Sequence, residues 1–237
     1  MKKFLIPLSV VLWALSCRMI NISNDLLDVR TDDHPIEDCS TISFENTNGD
    51  LELSEWENDF VRVETSIWGD SARGVPDDLK ILAEVKDGLS YSVEYPGGPS
   101  FVSVDFKVMV PAGSGCIVNS VTVNGDTRIE GDLSVFVESV NGDILINASD
   151  SRGLFTVNGD IEAVLERQFQ SFAVETVNGD VSVELPAEIG LVIETLNGDI
   201  SVNGREFESI ATLEGSIDAA AALETLNGDV EVTRMNR

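Results

Sequence analysis

A chain of 237 residues with 42 acidic and 15 basic side chains carries a formal net charge of −27 at pH 7. That excess excludes charge-driven binding to a nucleic acid backbone or to anionic lipid. The length is ample for one core in one elongated domain.

Residues 1–17 read as an export signal. Lys2 and Lys3 supply the charged start, and the apolar run from Phe4 to Leu15 is too short to span a bilayer but right for a signal core. It ends in Ala14-Leu15-Ser16-Cys17, where a small residue directly before a cysteine resembles the bacterial lipobox. On that reading Cys17 is lipidated and becomes the new N-terminus; the alternative is ordinary cleavage nearby. Loss of residues 1–16 removes two lysines and no acids, which takes the charge from −27 to −29. Membrane attachment then rests on the lipid alone.

Residues 18–40 hold scattered Asn, Asp and Pro35 with no sustained period, the composition of an acidic flexible tether. The only histidine, His34, falls here and is expected to be solvated. The domain is expected over residues 41–237. Its first part is irregular: Ile42-Ser-Phe44 leads into Asn48-Gly49-Asp50, and alternating runs over 79–85, 90–94 and 101–110 are separated by Gly- and Pro-rich breaks.

From Ile117 to Val232 one phrase recurs. Val174-Glu-Thr-Val-Asn178-Gly179-Asp180, Ile193-Glu-Thr-Leu-Asn197-Gly198-Asp199 and Leu223-Glu-Thr-Leu-Asn227-Gly228-Asp229 are close copies. Looser ones surround Asn124-Gly125-Asp126, Asn141-Gly142-Asp143 and Asn158-Gly159-Asp160, besides the early Asn48-Gly49-Asp50. From Asn124 to Asn197 the copies begin 17, 17, 20 and 19 residues apart. Alternation on both sides of each corner is the period of a strand.

Asn-Gly between alternating runs commonly marks a two-residue hairpin. Here that pairing fails by register, because a hairpin at Asn227-Gly228 would oppose Leu226 to Asp229 and Glu224 to Glu231 on shared faces. A coil escapes the conflict, since each strand then pairs with the rungs above and below. An antiparallel sandwich or meander with longer loops is the alternative. The coil predicts one interior column with Val137, Val174, Ile193 and Leu223, and another with Ile144, Ile161, Val181, Ile200 and Val230.

In order, Asn46-Thr-Asn-Gly-Asp50, Trp56, Val61-Arg-Val63, Val110-Pro-Ala-Gly113 and the serial Val-Asn-Gly-Asp phrases make the chain similar to the bacterial putative-adhesin family. That family is an extracytoplasmic domain with repeated Asn/Ser-Gly-Asp turns, and the resemblance covers residues 41–235. It implies an all-β, right-handed parallel β-helix, a β-solenoid with short rungs of about 17–20 residues. It brings no catalytic residues.

Stacked corners would align Asp126, Asp143, Asp160, Asp180, Asp199 and Asp229 near the ~4.8 Å strand spacing. Such a column could attract Ca²⁺, but each Asp is more simply expected to accept a backbone N–H at its own corner. Neither metal nor cofactor is expected. The Asn column reads as a structural amide ladder, and Glu175, Glu194 and Glu224 form a second acidic column. Cys116 reads as a buried strand residue and Cys39 as a domain-edge position, in a compartment that permits a bridge between them. The aromatics Trp56, Phe60, Trp68, Tyr91, Tyr95 and Phe101 precede the regular array and are expected to cap its open end.

No nucleophile motif or marked carboxylate pair singles out a catalytic site. The expected function is non-catalytic: a cell-envelope lipoprotein whose solenoid presents a surface to a protein or glycan, placed at the outer membrane or cell surface, or else in the periplasm. The alternatives are a structural or stress-response envelope component and, behind it, a carbohydrate-active enzyme.

Overall fold

Wherever apolar and polar residues take turns, the chain forms a strand. The computed structural model has nineteen strands and, among the described residues, no helix. It describes residues 25–35, 40–95, 102–167, 171–215 and 220–235. Cys17 and the rest of the expected signal, together with Cys39 and Phe101, lie outside them.

The strands are β1 (Asp25–Pro35), β2 (Thr41–Asn48), β3 (Leu51–Trp56), β4 (Phe60–Gly69), β5 (Lys80–Val85) and β6 (Leu89–Glu94). Next come β7 (Val102–Pro111), β8 (Ile117–Asn124), β9 (Thr127–Glu138), β10 (Ile144–Phe155), β11 (Ile161–Leu165) and β12 (Phe172–Asn178). The last are β13 (Val181–Pro186), β14 (Gly190–Asn197), β15 (Ile200–Val202), β16 (Arg205–Phe207), β17 (Ile210–Leu213), β18 (Ala220–Asn227) and β19 (Val230–Met235).

They form one hydrogen-bonded network folded into two layers. The first layer runs β5-β6-β2-β8, then the C-terminal halves of β9 and β10, then β12-β18-β14-β17. The second runs β1-β4-β7-β3, then the N-terminal halves of β9 and β10, then β11-β13-β19-β15-β16. Pairing is parallel throughout the middle. Antiparallel pairs occur only at the two ends: β5–β6, β1–β4 and β4–β7 at one, β14–β17 and β15–β16 at the other.

Each Asn-Gly-Asp is a corner where the chain leaves the first layer for the second, and the strands flanking it do not pair with each other. The fold is the parallel solenoid that the register argument favoured. The interior columns follow. Val137, Leu154, Val174, Leu223 and Ile193 stack in that order, as do Ile144, Ile161, Val181, Val230 and Ile200. All ten are at most 1% exposed, and burying each stabilises the fold by about 1.5–3 kcal/mol.

The rungs do not stack in chain order. Asn227 pairs with Asn178 on one side and Asn197 on the other, so the last repeat lies between the two that precede it. The opposite end is arranged alike: β2 lies between β6 and β8, and β3 between β7 and β9. The terminal strand pairs of the solenoid therefore each have two parallel neighbours. The outermost rungs are internal segments covered by antiparallel strands, which blunts the open sheet edges.

The tether expected over residues 18–40 needs correction for residues 25–35, which form β1 along the edge of β4. Arg62 of β4 donates two hydrogen bonds to Asp33 at 2.7 and 2.8 Å, and Leu27 packs against the core. Both faces of β1 are largely open to solvent, so its sequence carries none of the apolar alternation that betrays a half-buried strand. His34 is likewise not simply solvated. It is half-buried, its Nε2 is 2.8 Å from the Tyr91 hydroxyl, and the rings meet edge-on.

Candidate functional site

The corners are built by four side-chain and backbone ladders running along the stack. Asn197, Asn227, Asn178, Asn158, Asn141, Asn124 and Asn48 form the first, each Nδ2 donating to the Oδ1 of the next in this sequence at 2.8–2.9 Å. A parallel amide ladder of this kind satisfies both ends of each side chain.

The Asp ladder works differently from the expectation. The carboxylates do not cap their own corners; each except Asp199, which ends the column, accepts the backbone N–H of the Asp in the neighbouring rung. Asp126 N–H donates to Asp50, Asp143 to Asp126, Asp160 to Asp143, Asp180 to Asp160, Asp229 to Asp180 and Asp199 to Asp229, all at 2.8 Å. The column has one more member than the Asn-Gly-Asp phrases supply, because Asp105 accepts from Asp50 N–H at 3.0 Å. Burial, and the nearby Asp105 and Asp126 charges, push the Asp50 carboxyl up, although the bond it accepts from Asp126 opposes this. Among the described residues no three His, Cys, Asp or Glu side chains converge as a metal would need.

Glycine is fixed by close approach. A Cβ at Gly125, Gly142, Gly159, Gly179, Gly228 or Gly198 would lie 2.0–2.2 Å from the carbonyl oxygen of the glycine stacked beneath it. Thr156, Thr176, Thr225 and Thr195 complete the corner, each hydroxyl donating to one of these carbonyls at 3.1–3.2 Å. The Asn, Gly and Asp positions predicted from the sequence thus come together as one continuous structural seam.

The two ends of the seam differ. At the β2 end, the Tyr95 hydroxyl lies 3.1 Å from both Asn46 Oδ1 and the Asn48 carbonyl oxygen, and burial pushes its ionisation up. Phe44, Tyr91 and Phe106 pack together beneath it, with centroids 5.2–5.8 Å apart. Trp56 and Phe60 meet edge-on, with Arg62 over both rings. These aromatics close that end, Phe44 and Phe106 adding to those named from the sequence.

The third element is the outer face of the first layer. Glu175, Glu224 and Glu194 stand in register on β12, β18 and β14. Glu175 is only 5% exposed, Glu224 is half-buried and Glu194 is exposed. Burial raises the Glu175 carboxyl, and the Glu224 charge adds to it; Glu224 is raised in turn by burial and by Glu194. Leu196 and Leu226 beside this row are 68% and 42% exposed. Residue-type patterns had found the column, but not the burial that sets Glu175 apart.

Two further clusters are structural. Arg167 and the Ser149 hydroxyl both donate to Asp132, three positions brought together by successive rungs. The bonds from Ser149 and Arg167 hold the Asp132 carboxyl below its usual range, which makes it a weak base toward the serine. Cys116 is a buried free thiol whose ionisation burial pushes up.

A putative cell adhesion protein from Clostridium sporogenes has a similar structure, with TM-score 0.55 and 14% identity over 89% of this chain and 100% of that one. A putative adhesin from Bacteroides fragilis aligns with TM-score 0.42 and 13% identity over 86% and 97% of the two chains. No protein of curated function matches the sequence. The family model described as Toastrack DUF4097 matches residues 21–233, and the chain belongs to that family.

Proposed function

We propose that this protein is a non-catalytic cell-envelope lipoprotein, anchored through Cys17, whose solenoid presents an interaction surface to a protein or glycan. The observation that carries this reading is the outer face of the first layer, where in-register carboxylates and exposed leucines sit on strands locked by the corner seam. Rigid display of a periodic surface lowers the ordering cost of binding. The description of the Clostridium sporogenes protein as a putative cell adhesion protein agrees with it.

No helix among the described residues is long and apolar enough to cross a membrane. Attachment is assigned to the lipid, with outer-membrane or cell-surface placement. Protease shaving of intact cells, followed by immunodetection, tests the placement. Loss of the domain supports surface display, and full protection favours a periplasmic structural role. A Cys17→Ala variant is expected to leave the membrane fraction; retention there would overturn the anchor.

A further inference from the structure

The row of Glu175, Glu224 and Glu194 has a frame that its sequence spacing does not reveal. In the same outward column Phe155 pairs with Glu175 at one end and Ile210 pairs with Glu194 at the other. Leu196 and Leu226 line one side. Three carboxylates thus stand inside an apolar border, two rung spacings of ~4.8 Å from first to last.

Among the described residues none of the three carboxylates makes a hydrogen bond or an ion pair, although Glu175 is only 5% exposed. Where a cation is within reach in this fold it pairs, as Arg62 does with Asp33 and Lys80 with Glu94. A buried carboxylate without a counter-charge is costly, and here two more like charges stand in line with it. The frame and the unmet charge match one chemistry: an ammonium or guanidinium on an aliphatic stem, the stem lying on leucine and the head reaching the carboxylates.

We propose that this framed glutamate row is the docking site for a lysine or arginine side chain of a partner polypeptide, flanked in that partner by apolar residues. The cation seats over Glu224, with exposed Glu194 at the entrance and Glu175 as the buried floor. A second copy of this chain is a poor occupant, because each copy carries −27, or −29 without residues 1–16, and like-charged bodies repel. The inference rests on the interaction-surface reading and names the partner class for that surface.

The test is titration of the purified chain, lacking its signal segment, with the peptide acetyl-Val-Lys-Val-Lys-Val-amide at low salt, followed by calorimetry. Glu175→Gln/Glu194→Gln/Glu224→Gln is compared with Glu162→Gln/Glu184→Gln/Glu231→Gln, which removes equal charge from exposed positions on the second layer. Binding about tenfold weaker in the first variant and unchanged in the second is expected, the loss that two part-buried ion pairs account for. Equal weakening in both variants would reduce the effect to net charge and overturn the site, as would absence of binding by the parent chain. Both variants are isosteric, and their unfolding midpoints verify that they fold. The titration is independent of cellular placement, so it can fail while shaving still finds surface display, or succeed while shaving does not.

Discussion

An alanine at position 142 would put its Cβ 2.0 Å from the Gly125 carbonyl oxygen, with rungs packed on both sides. At Gly74, where φ is +69°, a Cβ would meet nothing within 4 Å. The two glycines are therefore required for different reasons. Gly142→Ala forces adjacent rungs apart and is expected to cost on the order of 2–4 kcal/mol. Gly74→Ala bears only the left-handed backbone penalty of about 1–2 kcal/mol. Denaturant unfolding of the pair ranks them, and equal losses would show that the stacking distance is not what fixes the corner glycine. The carboxylates make a second residue-scale prediction. Glu175, Glu224 and Glu138 are all raised by burial, so the folded state binds protons more tightly than the unfolded one. Their destabilisation is present above the raised values and relieved as pH falls toward the ordinary glutamate range near ~4.3. Asp132 and Asp33 are lowered, Asp132 through bonds to Ser149 and Arg167 and Asp33 through Arg62, which gives the opposite sign at still lower pH. They are exposed and contribute little. The unfolding midpoint is expected to rise as pH falls from 7 to 5. Glu175→Gln is expected to stabilise the protein at pH 7, on the order of 1 kcal/mol, and to flatten that slope. An unchanged slope would mean that another group sets it.

At the scale of elements, the chain contains both uses of Asn-Gly. Asn203-Gly204 makes a true two-residue hairpin between β15 and β16, with both φ values positive at 50° and 73°. The register test that rejects a hairpin at Asn227-Gly228 accepts one here: Ile200 opposes Phe207 and Ser201 opposes Glu206. The following residue, Arg205, also breaks the Asp rule of the corners. The parallel coil and its corner seam were legible because stacking makes like residues recur. The caps were not. β1 is exposed on both faces, and Asp105 joins the carboxylate column without an Asn-Gly before it. β16 and β17 are three and four residues long, too short to show a period. Their task is to cover β15 and β14, whose outer edges would otherwise continue the parallel ladder into another molecule. Replacing residues 205–213 by a Gly/Ser linker of equal length is expected to promote end-to-end association beyond that of the parent chain in salt high enough to screen the acidic surface. Sedimentation velocity reads the change. A linker variant that associates no more than the parent chain would assign the protection to charge instead of the cap.

For the whole molecule, the consequence of the swapped rung order is mechanical. In a coil stacked in chain order, the last strand pair has one neighbour and frays from the end. Here β18 and β19 are held on both sides, and to unstack they must part from β12 and β13 as well as from β14 and β15. Near-identity of the three phrases ending in Asp180, Asp199 and Asp229 means that local sequence does not choose the order. Either rung could satisfy the Asn, Gly and Asp ladders of the one beneath. The choice falls to the caps, because β16 and β17 follow β15 directly and fold back over whichever rung is outermost. Cysteines at the outward positions before each Asn test the order. Adjacent rungs stand ~4.8 Å apart and alternate ones ~9.6 Å, on either side of the ~7 Å Cα limit for a disulfide. In a chain with Cys39 replaced, Val177→Cys/Leu226→Cys and Leu226→Cys/Leu196→Cys are expected to cross-link under mild oxidation, and Val177→Cys/Leu196→Cys is not. Ready bridging of Val177→Cys to Leu196→Cys would restore chain-order stacking and remove the clamp on the C-terminal strands.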